Sequence, residues 1–203
     1  MASISAEQDH ANADMVLNHD DPRWHRLREI ILDKSLKLGD FVLSSGATST
    51  YLFQLRQTTM LPESAALIGE IVVEYMQRHA IKCVGGPELG AVPLVAAISV
   101  ASHYKSYPVD AFFVRKAAKA HGARERIDGH VGVGCEVLLT DDVATSGKSI
   151  LTALEAMKEE FPSCSVRRAF VVVDREEGAA RNLAAHGVHL VSLFKKSDFP
   201  IKA

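Results

Sequence analysis

Apolar residues recur along the chain with the spacings that distinguish helices from strands. Helical spacing runs from Pro22 to Gly39, and a second, amphipathic pattern covers residues 63–79. Two short extended stretches, 40–43 and 50–55, lie between these segments and are separated by a serine- and glycine-containing turn. The first third of the chain is therefore predicted to form two helices with a hairpin between them.

The rest of the chain repeats a pattern of apolar strand, glycine-containing loop and helix. Strands are predicted at 81–84, 109–114, 137–140, 168–173 and 188–194, and helices at 91–104, 148–161 and 176–185. Continuously apolar strands alternating with helices are typical of an α/β fold, with a mainly parallel sheet flanked by helices on both faces. Ligands of such folds bind beyond the carboxyl ends of the strands, so candidate chemistry is sought in the loops that follow them.

Composition limits the classes of function that the chain can have. With 203 residues, 47% of them hydrophobic and 24% charged, the chain fits one globular domain. A net charge of −2 is at odds with the broad basic surface of a nucleic-acid-binding protein, so any anion site must be local. The most apolar run, 91–101, is shorter than the roughly 20 residues of a membrane helix and contains Pro93, so no membrane span is predicted.

The N-terminal segment and the cysteines bear on the location of the protein. Residues 1–21 are polar and acidic without the features of a signal peptide, which predicts a disordered tail. Cys83, Cys135 and Cys164 are odd in number and far apart in sequence, which predicts neither a disulfide framework nor a Cys-x-x-Cys metal site. A reducing cytoplasm is the expected compartment.

The most informative segment joins an apolar strand to a helix at residues 137–149. Two adjacent carboxylates, Asp141 and Asp142, are followed by small residues that let backbone N–H groups surround an anion at a helix N-terminus. The carboxylates suit two sugar hydroxyls or an indirect hold on a divalent cation, so the expected ligand is a sugar phosphate. A nucleotide-binding P-loop is excluded, because Asp142 stands where that motif needs glycine. A turn with Ser146 as a helix N-cap and no ligand stays open as the alternative.

Positive charge is concentrated in a second segment, 115–126. Its basic residues are Arg115, Lys116, Lys119, His121, Arg124 and Arg126. A solvated basic helix is one interpretation, although Gly122 and the absence of an apolar stripe argue against it. A loop that closes over a polyanion would neutralise charge on a leaving group and exclude water.

Both segments resemble motifs of the type I phosphoribosyltransferases. The acidic pair followed by Ala-Thr-Ser-Gly is similar to the motif that binds 5-phosphoribosyl 1-diphosphate (PRPP). Residues 115–122 read R-K-x-x-K-x-H-G and precede Ile127-Asp128-Gly129, which resembles the mobile catalytic loop of the orotate phosphoribosyltransferases. Residues 85–93 are similar to the family's diphosphate loop, 173–178 to the segment whose arginine binds the orotate carboxylate, and 41–56 to an N-terminal hood over the orotate ring. The resemblance covers roughly residues 39–199.

The resemblance implies a Rossmann-like core at 63–203, a small hood at 22–62, and transfer of a phosphoribosyl group from PRPP to orotate in pyrimidine synthesis. It also implies Mg²⁺ held mainly by substrate and water, with no direct protein ligand, and a homodimer that shares loop 115–129 across its interface. Lys119, His121, Asp141 and Asp142 are the implied catalytic residues. The implied PRPP-binding residues are Arg115, Lys116, Lys119, His121, Asp141, Asp142, Val143, Ala144, Thr145, Ser146, Gly147, Lys148, Ser149, Glu88 and Leu89, and the implied orotate-binding residues are Thr145, Arg175 and Phe53.

The chain departs from the family pattern in the hood. Many members have a lysine that reaches the substrates where this chain has Ser44, and the hypothesis is that Arg56 compensates. Tyr51 and Phe53 are equally compatible with a place beside the ring and with a place in the core. Two other functions stay open: transfer to another base, and PRPP sensing by a non-catalytic regulator, which would normally carry a DNA-binding segment.

Overall fold

The computed structural model describes residues 15–42, 48–117 and 125–201. Two strands, β1 (Leu36–Val42) and β2 (Thr48–Phe53), form a separate pair. The six strands of the main sheet are β3 (Cys83–Pro87), β4 (Asp110–Val114), β5 (Ile127–Gly129), β6 (Glu136–Ala144), β7 (Ser165–Asp174) and β8 (His189–Lys195). Their order in the sheet is β5-β4-β3-β6-β7-β8, and every neighbouring pair is parallel except the edge pair β4 and β5. This confirms the predicted α/β class with a mainly parallel sheet.

Helices cover both faces of this sheet, as the strand and helix alternation predicts. They are α1 (Pro22–Ile30), α2 (Arg56–Thr59), α3 (Pro62–Arg78), α4 (Ala91–Tyr104), α5 (Lys148–Glu160) and α6 (Ala179–Ala184). Apolar side chains of α3 and α4 pack in one cluster with the N-terminal segment, while those of α5 and α6 pack in a second cluster. Each face of the sheet therefore has its own core.

The N-terminal segment differs from its prediction. The Asp21 side chain accepts a hydrogen bond from the Arg23 backbone N–H at 2.8 Å and caps α1. The helix ends in a π-helical turn at Ile31–Ser35, after which β1 (Leu36–Val42) pairs antiparallel with β2 (Thr48–Phe53). The predicted first helix is thus too long, because the hairpin takes up its last residues as a strand.

Part of the predicted tail packs on the core. Val16 is 3% exposed, and the Arg78 guanidinium donates hydrogen bonds to the carbonyls of Met15 and Val16 at 2.8 and 3.1 Å. The apolar run that begins at Met15 gives residues 15–17 surface to bury, which the polar composition of 1–21 as a whole conceals. Residues 1–14 lie outside the described residues.

Two strands run further toward the candidate site than predicted. β3 continues through Gly85-Gly86-Pro87, and β6 continues through Asp141 and Asp142 to Ala144. The β6 extension is paired with β7, where Asp141 is opposite Val171 and Ala144 opposite Asp174. Pairing with a neighbouring strand overrides the low strand propensity of aspartate.

The three cysteines are free thiols that lie near one another at the amino ends of neighbouring strands, although they are far apart in sequence. Cys83 begins β3, while Cys135 and Cys164 directly precede β6 and β7, which are the next strands in the sheet order. Sequence separation is therefore the wrong guide to their distance, since parallel strands all begin at the same edge. Among the described residues, no helix combines the length and apolar character needed to cross a membrane.

Candidate active site

The acidic pair lies at the carboxyl end of β6, near the middle of the sheet. Asp141 is 6% exposed; its Oδ2 accepts a hydrogen bond from Ser149 Oγ at 2.7 Å, and its Oδ1 accepts one from the Asp142 backbone N–H at 2.9 Å. Burial, followed by the charge of Asp142, raises the pKa of Asp141 to about 7. Two largely desolvated carboxyls thus lie beside each other and form a strongly polar centre.

A glycine makes room for this pair. A Cβ at Gly90, directly before α4, would overlap Oδ1 of both Asp141 and Asp142. The sequence pattern includes Gly90 in the loop 85–93 but assigns it no role, because glycine can mark a turn as readily as a close approach. In the structure the absence of a side chain at Gly90 lets both carboxylates pack against its backbone.

The end of β6 leads into α5 through the small residues of the predicted phosphate cradle. Gly147 has φ +77°, and a Cβ there would lie 3.2 Å from a Leu183 side-chain carbon, so both the backbone and the space favour glycine. Along this segment Val143 and Thr145 are half-buried, Ala144 is buried, and Ser146, Lys148 and Ser149 are exposed. The first N–H groups of the 13-residue helix have no helical partners and can donate to an anion.

The two ends of the basic segment, which are its described part, lie side by side. The Arg115 backbone N–H donates to the Arg126 carbonyl at 2.8 Å, and the Arg115 guanidinium pairs with Asp128 at 2.5 Å. The backbone N–H of the exposed Lys116 donates to Glu88 Oε1 at 2.7 Å, which ties the segment to the loop of Glu88 and the exposed Leu89. The structure therefore brings these four predicted PRPP-binding residues toward one another.

The tip of the basic segment, residues 118–124, lies outside the described residues. Lys119 and His121, which the resemblance implies as catalytic, are in this part, so their roles stay predictions. Ser44 lies outside the described residues as well.

Arg175 follows β7 and meets the hood. Its Nε donates a hydrogen bond to the Tyr51 hydroxyl at 3.0 Å, and its Nη2 pairs with Glu177 Oε1 at 3.0 Å. The Tyr51 hydroxyl donates to the same Glu177 oxygen at 2.7 Å, and the guanidinium carbon is 4.8 Å from the centre of the Tyr51 ring. The sequence pattern predicts Arg175 at a strand end but misses Glu177, because nothing local distinguishes it from an ordinary surface glutamate.

The two other hood residues of interest have different places. Phe53 is 9% exposed and meets Tyr51 and Phe199 edge to face, with ring centres 5.6 and 5.2 Å apart. Phe53 therefore packs in the same core cluster as Tyr51, and its contact with orotate stays a prediction. Arg56 lies close enough to Asp142 for its positive charge to lower the pKa of that carboxyl, although burial raises the pKa more.

The described residues contain no group of three or more histidine, cysteine, aspartate or glutamate side chains arranged to hold a metal ion. The oxygens of Asp141 and Asp142 are nevertheless the donors that Mg²⁺ prefers. Mg²⁺ typically keeps several waters and binds one or two carboxylates together with substrate phosphates. The residues present therefore fit Mg²⁺ only as part of a complex with a phosphorylated substrate.

The phosphate segment and Arg175 lie next to each other, at the carboxyl ends of the neighbouring strands β6 and β7. The Arg175 backbone N–H donates to the carbonyl of Ala144 at 2.9 Å, directly before Thr145. A cation suited to a carboxylate, a helix N-terminus suited to a phosphate and two carboxylates suited to sugar hydroxyls thus lie along one edge of the sheet.

Comparisons with known proteins agree with this arrangement, although no protein-family model matches the chain. The chain is 40% identical over 178 residues to the orotate phosphoribosyltransferase of Rhodopseudomonas palustris, covering 86% of this chain and 94% of that protein. It is 40% identical over 176 residues to that of Aquifex aeolicus, covering 85% of this chain and 95% of that protein.

Solved structures give the same result. The orotate phosphoribosyltransferase of Mycobacterium tuberculosis in complex with Fe(III) dicitrate matches with TM-score 0.78 and 36% identity, covering 89% of this chain and 100% of that chain. The PRPP complex of the same enzyme matches with TM-score 0.72 and 33% identity, over 87% of this chain and 98% of that chain. The chain belongs to the orotate phosphoribosyltransferase family.

Proposed function

We propose that this protein transfers the 5-phosphoribosyl group of PRPP to orotate, giving orotidine 5′-phosphate and diphosphate in the synthesis of pyrimidine nucleotides. The observation that best supports this proposal is the hydrogen bond that the Arg175 backbone N–H donates to the Ala144 carbonyl. It joins the cation proposed for the base to the segment proposed for the sugar phosphate. Both substrates then meet at the same edge of the sheet, which the reaction requires.

The segment from Asp141 to Ser149 binds the ribose 5-phosphate part of PRPP in this proposal. Backbone N–H groups of residues 145–149 donate to the 5-phosphate, with the partial positive charge of the α5 N-terminus behind them. The carboxylates of Asp141 and Asp142 accept hydrogen bonds from the two ribose hydroxyls.

Arg175 binds the orotate carboxylate, and Thr145 contacts the base from the end of β6. The Arg175 guanidinium is paired with the carboxylate of Glu177, which offers the same chemistry as the carboxylate of orotate. Tyr51 holds the guanidinium from the hood side at 3.0 Å. Orotate therefore replaces Glu177 at Arg175, while Tyr51 keeps the arginine in place.

Charge stabilisation is the main catalytic contribution. As diphosphate departs, positive charge grows on the ribose and negative charge on the leaving group. The carboxylates of Asp141 and Asp142 stabilise the first, and Lys119, His121, Arg115 and Lys116 stabilise the second. Arg56, whose charge reaches Asp142, supplies the cation that Ser44 does not.

Mg²⁺ is the proposed cofactor, on the strength of its oxygen preference and of the two carboxylates described above. Asp141 and Asp142 would hold it indirectly, through water and the ribose hydroxyls. When bound, it neutralises diphosphate charge and makes diphosphate a better leaving group. The chain's own contribution is to keep both carboxylates in position, through Ser149 and the Asp142 backbone.

A homodimer is proposed from the apolar surface between α3 and α4. Met60, Val100 and Tyr104 are 69%, 60% and 80% exposed there, beside a groove of about 720 Å³ with small side chains in its wall. Apolar exposure of this kind is typical of an interface. A mass from light scattering equal to two chains supports this proposal, and a monomer over the whole micromolar range refutes it.

The cytoplasm is the proposed location. Cys83, Cys135 and Cys164 all carry free thiols, and a reducing compartment maintains thiols in that state.

The reaction is tested by the loss of orotate absorbance in mixtures of protein, PRPP and Mg²⁺, with parallel reactions that contain uracil, adenine or hypoxanthine. Turnover of orotate alone is expected, because only orotate carries the carboxylate that Arg175 binds. Diphosphate release with another base and none with orotate would instead identify a transferase for that base. Tight PRPP binding without turnover of any base would identify a sensor.

A further inference from the structure

Three cysteines meet at the edge of the sheet opposite the active site. They stand at the starts of three neighbouring strands, β3, β6 and β7, whereas Asp141 and Arg175 stand at the carboxyl ends of β6 and β7. Cys83 is fully buried, while Cys135 and Cys164 are partly exposed. The proposed reaction uses none of the three.

Cys135 and Cys164 are close to bonding distance. Their Sγ atoms are 3.7 Å apart, and the Ser165 backbone N–H donates to the Cys135 carbonyl at 3.0 Å, which fixes the two backbones side by side. The Cys164 thiol also donates to the Gly132 carbonyl at 3.2 Å. A disulfide requires the two sulfurs to approach to about 2.0 Å, a movement that rotation of two side chains on fixed strands can provide.

We propose that Cys135 and Cys164 form a reversible intramolecular disulfide when the protein meets a peroxide. In the first step the sulfur of Cys164 attacks hydrogen peroxide, so that an S–O bond forms, the O–O bond breaks and water is released. In the second step the sulfur of Cys135 attacks the resulting sulfenic acid; an S–S bond forms, the S–O bond breaks and a second water leaves with the Cys135 proton. One peroxide is reduced and two thiols are oxidised.

The surroundings of the thiols assign these roles. Burial raises the pKa of the Cys135 thiol, which disfavours Cys135 as the thiolate that attacks peroxide in the first step. Burial raises the pKa of the Cys83 thiol well above its usual range, and this side chain is 0% exposed. Cys83 therefore stays reduced and serves as an internal reference.

The bond would join two segments that are separate along the chain. One leads from β5 into β6 and the other from α5 into β7. Closing the loop between residues 135 and 164 reduces the freedom of the unfolded chain, so the oxidised protein should unfold at a higher temperature. Because both cysteines lie at the opposite end of the strands from Asp141, the oxidised enzyme should keep its turnover of orotate.

The test measures thiols in the full-length protein before and after treatment with hydrogen peroxide. We expect three titratable thiols under denaturing conditions before treatment, one afterwards, and three again after dithiothreitol. Peptide mapping without reductant should find Cys135 linked to Cys164 within one chain. Three remaining thiols, a link that includes Cys83, a link between chains, or irreversible sulfonic acid would each overturn the proposal.

Matched variants keep the test decisive. Cys83→Ala should still form the link, whereas Cys135→Ser and Cys164→Ser should not, and all three should show the circular dichroism of the unchanged protein. In Cys135→Ser, dimedone should trap a sulfenic acid on Cys164. A dimedone adduct on Cys135 in Cys164→Ser, with none on Cys164 in Cys135→Ser, would contradict the assigned order.

Discussion

Two parts of the proposed site are built in opposite ways. The phosphate segment at 141–149 is one continuous strand, turn and helix, and much of its proposed chemistry uses backbone N–H groups. In the other part, Tyr51 contacts Arg175 and Glu177, which lie 124 and 126 positions further along the chain. The hood carries Tyr51 to the end of β7, where these two residues are. The first part is thus a property of local sequence, and the second is a property of the complete fold.

Their electrostatics differ as well. Burial disfavours the charged forms of Asp141 and Asp142, and the charge of Asp142 raises the pKa of Asp141 further. Arg175, in contrast, has its carboxylate partner already in place. In the proposed mechanism, the hydroxyls of bound PRPP would compensate the buried carboxylates, and Arg175 would exchange Glu177 for the carboxylate of orotate.

The largest effect is expected from Asp142→Asn. Removing a carboxylate that stabilises developing positive charge should lower kcat/KM by about 10²–10³-fold, as deletion of one electrostatic group in other enzymes does. Steady-state kinetics with both substrates measures this. Asp110→Asn, at an exposed position at the start of β4, is the matched control and should retain turnover. If the two variants were equally active, the acidic pair would have no part in the reaction.

The next effect concerns pH and stability at Asp141. Its pKa of about 7 in the folded protein lies above the ordinary value of 3.8, so between these pH values the folded state holds a proton that the unfolded chain has lost. The contribution to stability is complete at low pH and is lost as the pH rises through 7. The side chain in Asp141→Asn cannot ionise, so stability is no longer lost at this position as the pH rises. Its amide oxygen can still accept the hydrogen bond from the Asp142 backbone N–H. The substitution should stabilise the fold at pH 8 by on the order of 2 kcal/mol.

Urea unfolding at pH 5 and pH 8 checks this prediction, with turnover measured alongside. The gain in stability should be larger at pH 8 and should come with loss of activity. A variant that is destabilised equally at both pH values would show that Asp141 is compensated in the folded protein.

The smallest effect is expected from Glu177→Gln. An amide cannot compete for Arg175 as a carboxylate does, so the KM for orotate should fall by up to about fivefold, the range of a partly exposed ion pair. Glu176→Gln is the control, because Glu176 accepts a hydrogen bond from the Ser197 backbone instead. A rise in the KM for orotate in Glu177→Gln would mean that Glu177 only positions the arginine.

The difference between the two parts also explains what could be predicted from sequence. The acidic pair, the small residues and the helix after them are adjacent, so the sequence alone indicates their chemistry. It does not indicate where β6 ends, because pairing with β7 decides that Asp141 and Asp142 are strand residues. Arg175 is predicted through its place at a strand end, whereas its partner Glu177 depends on the hood.

Two other features are outside the reach of local patterns. Residues 15–17 lie in a polar segment, yet Val16 is buried. The cysteines are far apart along the chain, and only the strand order places Cys135 next to Cys164. Both depend on contacts between distant segments, which periodicity does not encode.

The division of the site into these two parts is tested most directly by the apparent KM of both substrates in Arg175→Ala. Loss of a charged hydrogen-bonding group of this kind costs about 1.5–3 kcal/mol, or roughly 10–150-fold in affinity. The KM for orotate should rise by that factor, while the KM for PRPP stays within about twofold of the unchanged protein. A rise in the KM for PRPP with orotate unaffected would contradict the assignment of Arg175 to the base.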